Sequence, residues 1–386
     1  MAPSQSYHRL PGSGTSPKIR NHPSRRHSWY RKEVVVPVLF FAAVFIALVL
    51  TMDTSTPSQE GRGHTHIVYS TVTGYFQQDN PKTDPKTFDY TKSNFGLIDR
   101  EYATDAVVDP QRKKTQWERF EQQVTAWNSE AKKTGKKVSY KLLYLGRHGQ
   151  GFHNVAETFY GTKAWDCYYS LLNGNSTSTW ADAHLTDVGI AQARANAQFW
   201  TSQIQTQKMP TADTYYTSPL TRCLQTCNET FASVPLPAGA APFAPVIKEL
   251  FREAIGVHTC DRRSSRTYLA SLFPRWSFED GFAEDDPLWD AELRETNRAM
   301  DVRTKRVLDD VFAHDEGTWL SVTAHSGEIG SLLRVLGHRD FGLGTGEAIP
   351  VLVRAEWKEG VGPVLDGGEW MRPVTCKEPP VMAKEA

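Results

Sequence analysis

The chain has 386 residues, 39% of them hydrophobic and 23% charged, with 44 basic residues balanced by 44 acidic ones. That length supports one large domain or two ordinary ones with a sizeable core. A formal net charge of zero excludes the overall basic footprint of a nucleic-acid-binding protein, and no such partner is expected.

The zero hides a segmental asymmetry. Residues 1–33 carry Arg9, Lys18, Arg20, Arg25, Arg26, Arg31 and Lys32 against the single acid Glu33. They are rich in Ser and Pro, which build no core, so they read as a disordered basic tail. Residues 34–52, VVVPVLFFAAVFIALVLTM, carry no charge. At about 1.5 Å per residue this run nearly crosses a hydrocarbon layer of about 30 Å. Pro37 stands near its start, where a helix tolerates proline. The run is therefore expected to be a transmembrane signal-anchor helix. A cleaved signal peptide would have a shorter apolar region and a small-residue cleavage site, which is not found here. Basic residues crowd the N-terminal flank, so the tail is expected in the cytosol and the remainder across the membrane. This makes a single-pass type II protein whose remaining chain is expected on the lumenal or extracytoplasmic side, in the secretory pathway. The glycosylation acceptors Asn175-Ser176-Thr177 and Asn228-Glu229-Thr230 agree with that placement. The cysteines are Cys167, Cys223, Cys227, Cys260 and Cys376. Their odd number leaves at least one unpaired within the chain, and spacing leaves the pairing open. Cys223 and Cys227, four apart on a predicted helix, read as packing residues.

Residues 53–66 are rich in Ser, Thr and Gly and read as a stem. His64 and His66 have a metal-compatible spacing but no companion ligands, so no metal site is assigned there. From 67 to about 110, aromatics alternate with Asn, Pro and Asp, which predicts irregular structure packed onto the domain. Gln116 to Lys133 is helical, with Trp117, Phe120, Val124 and Trp127 spaced three or four apart. Residues 67–136 thus form an irregular and helical N-terminal part of the domain, and 137–375 its main body. Within it a strand from Lys137 to Leu145 ends at Arg147-His148-Gly149. A helix spans Thr186 to Ser202, with Thr186 as its N-cap. A strand from Asp213 to Thr217 leads through Ser218 and Pro219 to a helix carrying Arg222. A strand from Trp319 to Thr323 leads through His325 to a helix reaching Leu336, and Ile349 to Glu356 closes as a strand.

Strands alternating with helices predict an α/β fold, a mostly parallel sheet flanked by helices. Ligands of such sheets bind beyond the C-terminal strand ends. Arg147, His148, Arg222 and His325 all fall at such ends. Guanidinium forks match phosphate oxygens, and helix N-termini add N–H groups and partial positive charge. Gly149 and Gly151 would let the backbone approach an anion. The edge therefore reads as an oxyanion pocket.

Five blocks in order sharpen this reading: LGRHGQGFHN, LTDVGIAQA, YTSPLTRCLQT, KELFREAIG and VTAHSGEIGSLLR. With them the chain resembles the histidine phosphatase superfamily, in the branch that looks like phosphoglycerate mutase, over roughly residues 140–340. It departs from the acid-phosphatase and phytase branch, which has Arg and Pro soon after the RHG where this chain has Gln150-Gly151-Phe152. The resemblance implies that His148 is the nucleophile, taking phosphate as a phosphohistidine. Arg147 and Arg222 would lower its pKa and keep it neutral. With Asn154, Gly149 and His325 they would hold the substrate's phosphoryl group. Glu253 would be the general acid, with Glu249 and Asp261 as nearby rivals. Asn154 also suits a helix cap, and His153 reads as a packing neighbour. No metal or cofactor is implied, since guanidinium and imidazole groups supply the charge. Residues 261–266, DRRSSR, either meet a second anionic group on the substrate or pair with Glu284-Asp285-Asp286. The function implied is a membrane-anchored phosphomonoester phosphatase acting on a phosphorylated small molecule or another phosphoester. A phosphomutase is the alternative, and a non-catalytic module binding phosphorylated ligands is a second one.

Overall fold

The computed structural model describes residues 64–380. The basic tail 1–33, the apolar run 34–52 and most of the 53–66 stem lie outside the described residues. Among the described residues no helix is long and apolar enough to cross a membrane.

The strands are β1 (Thr65–Thr71), β2 (Val138–Arg147), β3 (Thr214–Thr217), β4 (Val246–Ile247), β5 (Ser277–Phe278), β6 (Trp319–Ala324) and β7 (Ala348–Glu359). They form one sheet in the order β1-β7-β2-β6-β3-β4-β5. From β2 to β5 the neighbours run parallel, while β7 runs antiparallel to both β1 and β2. The centre of β2 is apolar without alternation because both faces are covered. Leu143 and Leu145 pack towards α7 (Asn297–His314) and α8 (Ser326–Val335). Leu142 and Tyr144 pack towards α1 (Gln116–Lys133), α4 (Asp187–Ser202) and α5 (Thr221–Phe231). Helix starts follow local chemistry. Thr115 and Glu118 cap α1 reciprocally, and the Thr186 hydroxyl accepts the Gly189 N–H to open α4.

One expectation changes. Thr65 and His66, read as stem, and residues 67–71, read as irregular, form β1. It pairs with β7 from Thr65↔Glu359 to Thr71↔Val353. The partner strand lies almost the whole chain away, and it satisfies the backbone groups that a stem would leave to water. The segment before residue 137 packs onto the sheet, with Phe76, Phe95, Trp117 and Phe120 in one core cluster with Tyr144 and Leu352. The stretch between β1 and α1 is irregular as expected, with Phe76 and Phe95 fully buried. A disulfide joins Cys167 to Cys376, while Cys223, Cys227 and Cys260 are free and buried.

Candidate active site

The parallel register brings the strand ends level. Arg147 stands opposite Ala324, and Thr217 opposite Thr323. The next residues, His148, Ser218 and His325, leave the sheet together. His148 is tied to this edge through its own N–H to the Ala324 carbonyl (3.0 Å) and its carbonyl to the Gly346 N–H (3.0 Å). Its imidazole is buried, with the His325 ring 5.1 Å away and the His153 ring 5.3 Å away, centroid to centroid. Nδ1 donates to the Gly149 carbonyl at 2.7 Å, which selects the tautomer with a lone pair on Nε2. Burial holds the His148 pKa well below the ordinary histidine value. Arg222 and Arg147 add to that, and the Gly149 hydrogen bond opposes it. The sequence reading credited the two arginines; desolvation is the larger cause.

Arg222, in the first turn of α5, is almost fully buried. Its terminal nitrogens donate to the Cys260 carbonyl (2.6 Å) and to Asp261 Oδ1 (2.9 Å). Burial is the largest single influence and opposes its charge, but Asp261, Cys260, Cys223 and Asp182 together outweigh it and raise the Arg222 pKa. Asp261 is buried and also paired with Arg294 at 3.2 Å. Burial alone would raise its pKa, but Arg294 and Arg222 hold it below the usual carboxylate range. Arg147 donates to the Leu343 carbonyl at 2.6 Å. The Nε atoms of Arg147 and Arg222 are buried without a hydrogen-bond partner. Unsatisfied donors of this kind are costly unless a ligand or water meets them.

His325 precedes α8, and its Nε2 shares a 2.8 Å hydrogen bond with the Ser218 hydroxyl. The Cys223 thiol lies 3.3 Å from the same nitrogen. The His325 pKa is also well below normal, through burial first and Arg222 next. Glu253 is half-buried, and its carboxylate accepts the N–H groups of Ala254 (2.9 Å) and Gly327 (3.0 Å). It therefore leans on the first turn of α8, just past His325.

Asn154 lies in the first turn of α2 (Phe152–Tyr160), and its side-chain oxygen accepts the Gly151 N–H at 2.9 Å. The capping role is thus present, and the amide nitrogen donates to no described residue. Gly149 is needed for packing: a Cβ there would lie 2.4 Å from the Gly189 carbonyl oxygen. Its N–H goes to the Thr226 hydroxyl (3.0 Å), so it is already engaged within the protein rather than offered to an anion.

The rivals of Glu253 are both committed to arginines. Glu249 pairs with Arg252 and Arg263, and Asp261 with Arg222 and Arg294. Of the basic run 262–266, Arg263 is buried in an ion pair with Glu249, not with the expected Glu284-Asp285-Asp286, whose segment it meets through the carbonyls of Ala283, Glu284 and Asp285. Its neighbour Arg252 pairs with Asp286 at 2.6 Å. His258, Cys260 and Asp261 cluster within 4.8 Å, a geometry open to a cation, but the two arginines on Asp261 already take its charge.

Sequence reasoning underrated His153. It is buried, its pKa is well below normal through burial and then Arg222, and its Nδ1 has no partner. No sequence signal marks its burial: the helical pattern would bury Phe152, Val155 and Phe159, yet these are exposed while His153 and Ala156 are buried. Ser218 and Thr226 were also missed as partners of the pocket residues.

Residues 171–345 match the family model described as the histidine phosphatase superfamily (branch 1). A protein of Arthroderma benhamiae named "Probable phosphoglycerate mutase" is 54% identical over 290 residues, 75% of this chain and 85% of that one. "Phosphomutase-like protein 3" of Candida albicans is 33% identical over 315 residues, 81% of this chain and 88% of that one. A Saccharomyces cerevisiae protein, also named a "Probable phosphoglycerate mutase", is 37% identical over 232 residues, 55% of this chain and 78% of that one.

Proposed function

The chain belongs to the histidine phosphatase superfamily, in its phosphoglycerate mutase-like branch, and from that premise we propose that it is a phosphomonoester phosphatase working through His148. The observation that carries the reading is the state of His148: neutral through burial, with Nδ1 committed to Gly149, and set among arginines whose Nε donors lack partners. Nε2 attacks phosphorus as the ester P–O bond breaks, and Glu253 gives a proton to the leaving oxygen. Arg147, Arg222, His325 and the Asn154 amide stabilise the equatorial oxygens during transfer. Water then attacks the phosphohistidine, Glu253 takes its proton, and inorganic phosphate leaves with His148 restored.

The names of the relatives favour a second reading, a phosphomutase that returns the phosphoryl group to a new position. The two differ in product. Full-length protein given a radiolabelled phosphomonoester should carry label on His148 and release inorganic phosphate steadily. His148→Ala should lose both. Release that survives His148→Ala would overturn the covalent mechanism. Label transfer to a second position without phosphate release would favour the mutase. Failure to turn over any phosphoester would favour a binding module.

The setting is also part of the proposal: an anchor at residues 34–52 with the domain on the lumenal side. The Cys167–Cys376 disulfide supports it, since such bonds persist in oxidising compartments. Asn175 is exposed, as a glycan acceptor should be. Protease protection of the N-terminal tail in intact vesicles would reverse the orientation.

A further inference from the structure

A buried arginine stands behind the site with no part in the chemistry above. Arg303, on α7, spends all three of its nitrogens. Nε and one terminal nitrogen grip both oxygens of Glu295, at 2.9 and 2.8 Å. The other terminal nitrogen reaches Glu328 on α8 at 3.0 Å. The rest of its capacity goes to backbone: the carbonyls of Leu250 (2.6 Å), Arg252 (3.0 Å) and Glu253 (3.3 Å). Glu295 extends the grip by accepting the Ile255 N–H at 3.2 Å. Glu328 is itself fully buried and held by Thr304. One guanidinium thus ties the segment carrying Glu253 to the helix that begins beside His325.

Stability alone is a weak reason for this arrangement. A buried ion pair recovers its desolvation cost only with excellent geometry, and apolar replacements of similar volume are often as stable. What an apolar side chain cannot do is hold three carbonyls of one loop in fixed relation to a neighbouring helix.

We propose that Arg303 is a positioning residue that sets the Glu253 carboxyl against the leaving-group oxygen. The inference rests on the phosphatase reading and on Glu253 as its acid. Arg303 touches no reacting atom, so its effect should follow the demand for a proton. A dinitrophenol leaving group departs without one, whereas phenol and alcohols need it.

The test compares full-length wild type, Glu253→Gln, Arg303→Lys and Glu295→Gln on 2,4-dinitrophenyl, p-nitrophenyl and phenyl phosphate. Lysine keeps the charge but cannot span the carbonyls. General acid catalysis is worth roughly 10²–10⁴-fold. Arg303→Lys should therefore lose about 10²-fold on phenyl phosphate and under about threefold on the dinitrophenyl ester, copying Glu253→Gln in pattern. Glu295→Gln, which keeps the volume and loosens the grip, should show the same trend more weakly, and it carries the test if Arg303→Lys does not fold. An equal loss on all three esters would mean a merely structural arginine and overturn the proposal. If Glu253→Gln itself shows no leaving-group dependence, the acid assignment fails and the proposal with it. If only Glu253→Gln shows the dependence, the acid stands and the positioning role falls.

Discussion

Acid should destabilise this protein well above the range where its carboxylates protonate. His148, His153 and His325 are all held far below the ordinary histidine value by burial and then Arg222, and His258 is pushed down to about 4 by burial and Arg294. Above pH about 6.5 these groups are neutral folded or unfolded and affect nothing. Below it the unfolded chain binds protons that the folded chain refuses, so stability falls as pH falls. Each such histidine contributes about 1.4 kcal/mol per pH unit until its folded pKa is reached. Glu328 acts in the opposite sense. Burial pushes it up to about 8 against the pull of Arg303, so the folded chain keeps a proton that the unfolded chain has lost. One histidine is thereby offset, so the slope starts shallow at pH about 6.5, where the unfolded histidines are half protonated, and approaches the three-proton value of roughly 4 kcal/mol per pH unit by pH about 5.5 to 5. Against a usual stability of about 5–15 kcal/mol, one pH unit is a large fraction. Urea unfolding followed by the fluorescence of the 11 tryptophans, from pH about 7.5 to about 5.5, measures the slope. His325→Gln should reduce it by about 1.4 kcal/mol per pH unit. A flat profile, or an unchanged slope in both His325→Gln and His148→Gln, would refute the claim that the buried imidazoles are kept neutral by the fold.

In Gly327→Ala the new Cβ would lie 2.0 Å from Glu253 Oε1, so the carboxylate must swing away; turnover of phenyl phosphate should fall by about 10²-fold with the melting temperature nearly unchanged. A fully active variant would remove Glu253 from the acid role. Asp261→Asn takes the counter-charge from buried Arg222 and should cost about 3–5 kcal/mol in urea unfolding, and a loss under about 1 kcal/mol would show the pair to be dispensable. Cys376→Ser, or reductant on the native protein, opens a crosslink between residues 209 apart and should cost about 2–5 kcal/mol, read as a lower melting temperature that reductant no longer changes in the variant. Endoglycosidase treatment of protein from a secretory host should shift the band through exposed Asn175, with the shift lost in Asn175→Gln. Asn228, half-buried on α5 with Thr230 packed beneath it, should contribute nothing.

The convergence of Arg147, His148, Arg222 and His325 was legible in the sequence because strand ends and helix starts are local patterns. The run into Arg147-His148, the Thr217 to Arg222 turn and the Ala324 to Ser326 turn each announce themselves within a few residues, and the parallel register does the rest. The holding groups were not legible, for a different physical reason. Thr65 and His66 look like stem and residues 67–71 like irregular chain until Glu359 to Val353 comes alongside. Arg263 could face solvent, a substrate or an acid, and only the arrival of Glu249 and the 283–285 carbonyls decides. Arg303 is one of several basic residues on its helix, and backbone carbonyls some fifty residues earlier single it out. Backbone carbonyls belong to every residue and carry no sequence signal, so a side chain that binds three of them is hidden from any reading of residue types. The consequence bears on how the site would fail. On the proposed mechanism, a chain that keeps His148, Arg222, Glu253 and His325 would still lose its acid through a change at Arg303 or Glu295, residues that no motif of the site includes.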